Sequence, residues 1–391
     1  MKERIFGLPR NIFFLGLTSF FNDFSSEMIF SVFPAFFTSV LKAGAGSLGL
    51  VDGVAEAASN LFKIYSGNLS DRIQKRKFLV VSGYTLSVLI RPFYLLTSTI
   101  GGVLGLRFLD RVGKGMRDAP RDAIISLSAP KEELGRSFGY HRAMDTTGAI
   151  LGPLAAYFLL SYFPLRFDLV FMTAFAVGLI AIMTLFFIKD IAAVAAYRRL
   201  SLVDSFTRLS PQFKRYLLAM FVLSIGTLPV AVLLLKTQSI GLAIANIPLF
   251  YMVYSISYAG FSFSAGKMSD RVGARVVIFT GYAILLGSYV ILNAAQSGLV
   301  LVLGFLVMGL FPALTDGVQR AFASQLTTED LRGGGLGWLS ATTGFGALVA
   351  GVSGGYLWQI YGSPTAFLAA SGIIIIGLSF FFFSFSLKKP A

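Results

Sequence analysis

Apolar runs of some twenty residues or more recur along the whole of this chain, and they decide what it can fold into. A helix needs about 20 predominantly apolar residues to cross a bilayer. Of the 391 residues only 13% are charged, against roughly 25% in soluble domains. A single water-soluble core cannot bury this many runs. They place about twelve helices, near 11–41, 47–70, 78–98, 97–127, 137–162, 167–188, 215–238, 243–266, 275–295, 298–319, 334–359 and 364–387. The expected class is an all-α membrane protein.

Several functions fall away at once. Cysteine is absent and there is one histidine, which excludes disulfides and thiolate metal sites and argues against a His-ligated metal. No metal or cofactor is expected. No G-x-x-x-x-G-K-S/T loop appears, which argues against a nucleotide-driven pump. No nucleophile-elbow motif appears either, and an enzyme is not expected. The basic start, MKERIFGLPR, leads into an apolar stretch too long for a signal-peptide core, so it reads as a retained first span.

The formal charge of +14 resembles a nucleic-acid signal until it is mapped. With both termini on the cytoplasmic side, the loops around 72–77, 189–215 and 267–275 are all on that side. The opposite side keeps only Lys42, Arg166 and Lys236. This is the positive-inside bias that orients spans. The basic excess serves insertion, and no nucleic-acid partner is needed to explain it.

The longest polar connection splits the runs six and six. The expected organisation is an N-terminal six-helix bundle at 1–188, a cytoplasmic linker at 189–214 and a C-terminal bundle at 215–391. Internal repeats support the split. GNLSDR at 67–72 recurs as GKMSDR at 266–271, EEL at 132–134 as EDL at 329–331, and TTG at 146–148 as TTG at 342–344, with nearly one offset. Two such halves flanking a binding site are a common transporter plan.

These motifs carry a resemblance. GNLSDRIQKRK (67–77) resembles the G-x-x-x-D-R-x-G-R/K-R/K loop of the major facilitator superfamily, with Gln74 where that family usually has Gly. The second copy, GKMSDRVGAR, keeps Gly273 there. Arg107 falls where the fourth span of many members has a buried Arg. GAILGP (148–153) resembles the fifth-span motif associated with antiporters, although LAA follows in place of the usual Gly pair. The resemblance implies two pseudo-symmetric six-helix bundles around a central cavity and transport of a small molecule by alternating access. It also implies a gating role for the loop motif: Gly67, Asp71 and Arg72, repeated as Gly266, Asp270 and Arg271. The glycines would allow close helix approach, and the carboxylates would cap the positive end of a neighbouring helix.

Charge placement then nominates a site. On RFLDRVGKGMRDAPRD (107–122), at about 100° per residue, all eight charges fall within an arc of about 140°. The stretch is therefore a helix with one charged stripe, and Pro120 should kink it. Asp52, Glu56, Asn60 and Lys63 share a face of span two. Asp23 and Glu27 stack on span one, and His141 and Asp145 on span five. A charge at mid-bilayer costs about 2.5–3.5 kcal/mol on insertion scales, and repeated expense of that size suggests use.

Proton coupling is expected of Asp23, Glu27, Asp52, Glu56 and Asp145, because two close carboxylates raise one another's proton affinity. Substrate contact is expected of Asn22, Asp23, Glu27, Arg107, Asp110, Arg111 and Lys114, faced by Tyr251 and Tyr254 of span eight. Arg117, Asp118, Arg121, Asp122, Arg142 and Asp145 read equally as a gate or as ion pairs locking helices, and His141 is nominated with the gate. The function expected is proton-coupled export of a small organic molecule by a monomer in the bacterial inner membrane. The proton, or another cation, and the lipid bilayer are its expected partners. The alternative is import or exchange of an anionic metabolite held by Arg107, Arg111 and Lys114.

Overall fold

The structure, a computed structural model, describes residues 4–73, 75–130, 133–191, 202–328 and 331–386. Helix dominates, as a lipid solvent demands, because each helix satisfies its own backbone groups. A two-residue hairpin, β1 (Arg4–Ile5) and β2 (Leu8–Pro9), precedes the first helix, with Phe6 and Gly7 at positive φ in its turn. The sequence reading gave this stretch no strand.

The long helices are α1 (Arg10–Ser39), α2 (Ala45–Ile73), α3 (Arg76–Ile90), α4 (Ile100–Ser128), α5 (Leu134–Tyr162) and α6 (Phe167–Leu185). A short α7 (Leu202–Arg208) follows, then α8 (Pro211–Ile225), α9 (Val230–Leu234) and the single turn α10 (Lys236–Ser239). The chain continues through α11 (Ile247–Val272), α12 (Ala274–Ala294), α13 (Gly298–Gln325), α14 (Arg332–Tyr361) and α15 (Ser363–Ser386). Among the described residues nine segments are long and apolar enough to cross a membrane. Helices α1, α2 and α4, of 30, 29 and 29 residues, are also long enough, but their polar side chains dilute the apolar signal. These three are the helices on which the sequence placed most of its candidate charges.

Contacts divide the chain into two compact units. The first holds Met1–Lys42, Ala58–Arg199 and Ile247–Met252; the second holds Ala43–Ala57, Leu200–Asn246 and Val253–Ala391. Residues 192–201 of the expected linker, Glu132 of the EEL copy and Glu329 and Asp330 of the EDL copy lie outside the described residues.

In the first unit, Ile12, Leu15, Val80, Tyr84, Ile124 and Leu185 form a continuous buried cluster. Helix α5 meets α1 backbone to backbone. A Cβ at Gly148 would stand 2.8 Å from the Phe24 amide nitrogen, and one at Gly152 would stand 3.0 Å from that of Met28. The GAILGP stretch thus has a packing role that the sequence reading did not give it. Helix α3 runs into a 3-10 turn at Arg91–Leu96, where Pro92 cannot continue the ladder.

In the second unit, the seventh apolar run is broken between α8 and α9, with Pro229 at the start of the second piece. The sequence reading took that run as one helix. Tyr289 of α12 closes the gap: its hydroxyl accepts from the Leu228 amide at 2.8 Å and donates to the Gly226 carbonyl at 3.1 Å. The first half of α2 packs on α14 across glycines. The Gly46 amide donates to Gln359 Oε1 at 2.9 Å, and a Cβ at Gly53 would stand 3.1 Å from Leu348 Cα. Gly273 joins α11 to α12 at φ 92°, a backbone that side-chain-bearing residues rarely adopt.

Candidate functional site

Helix α4 is built inside out. The eight charged residues of 107–122 are all buried or half-buried, while Phe108 and Leu109 on the same helix are exposed. In water this would be a failed helix. In a bilayer, exposed apolar side chains meet lipid and the charged stripe turns into the bundle. Pro120 lies inside the helix without ending it.

The upper stripe centres on Arg107, which is 2% exposed. Its guanidinium lies 3.5 Å from the Asp110 carboxylate and 5.1 Å from the ring centroids of both Phe30 and Phe33. Cation–π contact of this kind compensates a desolvated charge. Arg111 and Lys114 follow on the same face, half-buried. Arg111 is within electrostatic reach of Asp110, and Lys114 of both Asp23 and Asp118.

The lower stripe is a set of ion pairs. Asp118 takes Lys63 of α2 at 3.7 Å and Arg121 at 3.5 Å. Arg121 also holds Asp122 at 2.9 Å. Arg117 stacks 4.2 Å from the Tyr84 ring and donates to Ser87 Oγ at 3.2 Å. His141 is buried, and its Nε2 has no hydrogen-bond partner. Arg117, Asp118, Arg121 and Asp122, four of the six residues left open between gate and lock, thus lie together with Lys63, Tyr84 and Ser87, and the other two, Arg142 and Asp145, pair with one another at 3.2 Å.

The carboxylates pair differently from the sequence expectation. Asp23 lies beside Asp145 of α5, one helix over, within reach of a side-chain hydrogen bond, and Glu27 stands close enough for its charge to be felt. Ser19 donates to Asp145 Oδ1 at 2.6 Å, and Arg142 reaches Oδ2 at 3.2 Å. Asn22, fully buried, donates to Asp23 Oδ1 at 2.9 Å. Glu27 accepts instead from the Tyr251 hydroxyl at 2.7 Å, and the Tyr251 ring lies 5.0 Å from that of Phe30.

Arg91 was missed by the sequence reading. It is 2% exposed, donates to Asn22 Oδ1 at 3.0 Å and bonds Ser25, which in turn donates to the Ala174 carbonyl. Its signal was present: an arginine inside an apolar run, just before Pro92, has no reason to be there unless it finds buried partners. Tyr84, Ser87 and Tyr94 were missed as well, since a polar aromatic or a serine in such a run carries no charge to betray it.

Other nominated residues fall elsewhere. Asp52, half-buried, and Glu56, exposed, sit on the part of α2 that packs with α14, in the second unit. Tyr254 lies 6.5 Å from Tyr258, centroid to centroid, on α11. Gly67 is half-buried, and the side chains of Asp71 and Arg72 lie outside the described residues. The expectation of close helix approach at Gly266 is corrected: a Cβ there would enter open space. Asp270 and Arg271 are exposed at the end of α11.

The sequence model of the Major Facilitator Superfamily matches residues 15–228 and 215–391. The chain belongs to this superfamily. An uncharacterised MFS-type transporter of Methanocaldococcus jannaschii is 34% identical over 387 residues, covering 94% of this chain and 95% of that protein. The multidrug resistance protein MdtG of Klebsiella pneumoniae is 23% identical over 397 residues, covering 98% and 94%. The crystal structure of the nucleoside transporter NupG, as its D323A mutant, superposes with a TM-score of 0.84 at 15% identity, covering 96% of this chain and 99% of that one. The chain is an integral membrane transporter with the superfamily's fold, and not an enzyme.

Proposed function

We propose that this superfamily member is a proton-coupled exporter of a small organic molecule, working as a monomer by alternating access of its halves, 1–188 and 215–391. The membrane is the bacterial cytoplasmic one, with the linker 189–214 and both termini on the cytoplasmic side. The observation that carries the reading is the carboxyl pair of Asp23 and Asp145, bridging α1 and α5 within an apolar bundle. With one proton the pair is a hydrogen bond that ties the two helices. Without it, two close carboxylates repel, by about 4 kcal/mol at a separation of about 4 Å and an effective dielectric of about 20. That is ample to drive a change of partners. Arg142, already at Asp145, and Lys114, near Asp23, are the cations ready to receive the separated charges.

Export is the favoured direction because relatives along the full length include proteins called multidrug resistance protein. The anionic-metabolite reading has less support. Arg107, which would hold the anion, is engaged by Asp110 and enclosed by Phe30 and Phe33.

Everted vesicles holding an acid interior, challenged with a panel of organic compounds, test the reading. At least one compound should dissipate the pH gradient with the wild-type protein and fail to do so with Asp23→Asn or Asp145→Asn. Equal dissipation by all three proteins would refute the assignment.

A further inference from the structure

Arg91 and Asn22 adjoin the carboxyl pair without belonging to it. Arg91 lies at the junction of α3 and the 3-10 turn that follows, within a segment of 21 residues apolar enough to span the membrane. A charge at mid-bilayer costs about 2.5–3.5 kcal/mol on insertion scales, and the surroundings of this one show what it does.

The guanidinium is held by two helices. Its side chain is 2% exposed. Nη2 donates to Asn22 Oδ1 at 3.0 Å and Nη1 to Ser25 Oγ, both on α1. Ser25 donates in turn to the Ala174 carbonyl of α6. Gly178 of α6 leaves room for the guanidinium, since a Cβ there would stand 2.5 Å from Nη1. These hydrogen-bond partners are neutral, and the carboxyl groups of Asp110 and Asp23 are within electrostatic reach.

The chemistry of Arg91 decides how the Asn22 amide lies. The oxygen and nitrogen ends of an amide are nearly alike in shape, so packing alone does not choose between them. A guanidinium does choose. It has N–H donors and no acceptor, so the end of the amide that faces Arg91 is the oxygen. The NH2 end is thereby turned to Asp23, where it donates to Oδ1 at 2.9 Å. Asn22 is 0% exposed, and both ends of its amide are engaged.

The two carboxyl groups are thus held differently. Asp145 accepts at both oxygens, from Ser19 at Oδ1 and from the Arg142 guanidinium at Oδ2, which suits a carboxylate. Asp23 accepts at Oδ1 from a neutral amide. Glu27 and Lys114 also act on Asp23 through their charge; the directional contact at Oδ1 is that of Asn22. In a protonated carboxyl group the hydroxyl oxygen donates and the carbonyl oxygen accepts. An N–H aimed at Oδ1 therefore leaves the proton to Oδ2.

We infer that Arg91 is a positioning residue for proton coupling: through the Asn22 amide it assigns the proton of the pair to Asp23, and to Oδ2 of that residue. The inference rests on the reading of Asp23 and Asp145 as a carboxyl pair that holds one proton, and it adds the groups that place the proton.

Infrared spectra of the purified full-length protein at neutral pH test it, through the position of the C=O stretching band of the protonated carboxyl group. A C=O that accepts a hydrogen bond absorbs at lower wavenumber than one that accepts none. Asn22→Leu keeps the approximate volume, removes the amide and should move the band to higher wavenumber. Arg91→Gln should split or broaden the band, because glutamine can face either end of the Asn22 amide. Arg91→Lys should keep the wild-type position, since an ammonium also has donors only. Ser25→Ala removes the other partner of Arg91 and the tie to α6; it should lower the melting temperature and leave the band in place. Where Asn22→Leu does not fold, Arg91→Gln carries the test.

A band unmoved in Asn22→Leu or in Arg91→Gln would overturn the inference and leave the proton on the pair. So would a band moved alike by Arg91→Lys and Arg91→Gln, which would mark Arg91 as a packing residue. A wild-type protein without the band would overturn both the inference and the reading it rests on.

Discussion

Tyr289→Phe removes a single oxygen from the second unit, and its cost follows from the break between α8 and α9. The Tyr289 side chain is 1% exposed and Leu228 is 2% exposed. The hydroxyl serves both backbone groups the break releases, accepting at 2.8 Å from Leu228 and donating at 3.1 Å to Gly226. An ordinary interhelical side-chain hydrogen bond in a membrane protein averages only about 0.6 kcal/mol. Orphaning a buried backbone donor or acceptor costs about 1–3 kcal/mol each. Two such groups in a lipid setting put the loss at about 2–6 kcal/mol, several times the ordinary figure. Reversible unfolding in mixed micelles, followed by circular dichroism against denaturant mole fraction, measures it. A loss near 0.6 kcal/mol or less would show that the break satisfies itself, through water or local rearrangement, and that Tyr289 is not its closure.

Two more expectations follow from the packing. Asp118→Asn leaves Lys63 and Arg121 facing a neutral group; stability should fall by about 3–5 kcal/mol, and Lys63→Met in the same protein should recover much of it. The unfolding assay decides, and no recovery would mean that the pair is not the source of the loss. Gly152→Leu should prevent the close approach of α5 to α1 and sharply reduce the yield of folded protein, whereas Gly260→Ala, whose Cβ would meet open space, should be neutral or mildly stabilising. Size-exclusion profiles of the two variants measure this, and matching profiles would contradict the packing argument.

Much of the architecture was legible from hydropathy, because in lipid a long apolar run has few alternatives to a helix. The charged stripe of α4 was legible for the same reason, since angular segregation over 107–122 has no meaning in a loop. What the sequence could not supply was pairing across helices. Asp23 and Glu27 are neighbours by number, one turn apart, and periodicity put them together. The packing of α5 on α1 through Gly148 and Gly152 brings Asp145 to Asp23 instead, and Tyr251 takes up Glu27. Arg91 escaped because a single charge in a strongly apolar run barely lowers its mean hydropathy. The break at Gly226–Pro229 escaped because apolarity runs straight through it. At Gly266 the repeated glycine meets nothing within 4 Å among the described residues, whereas Gly148 and Gly152 meet the backbone of α1.

The shared proton is the centre of the account, and infrared spectroscopy reads it without a substrate. Spectra of the purified protein at neutral pH should contain the C=O stretching band of a protonated carboxyl group. That band should vanish in both Asp23→Asn and Asp145→Asn and persist in Glu27→Gln. A band that survives in both aspartate variants, or its absence from the wild-type protein, would contradict the assignment of the proton to Asp23 and Asp145.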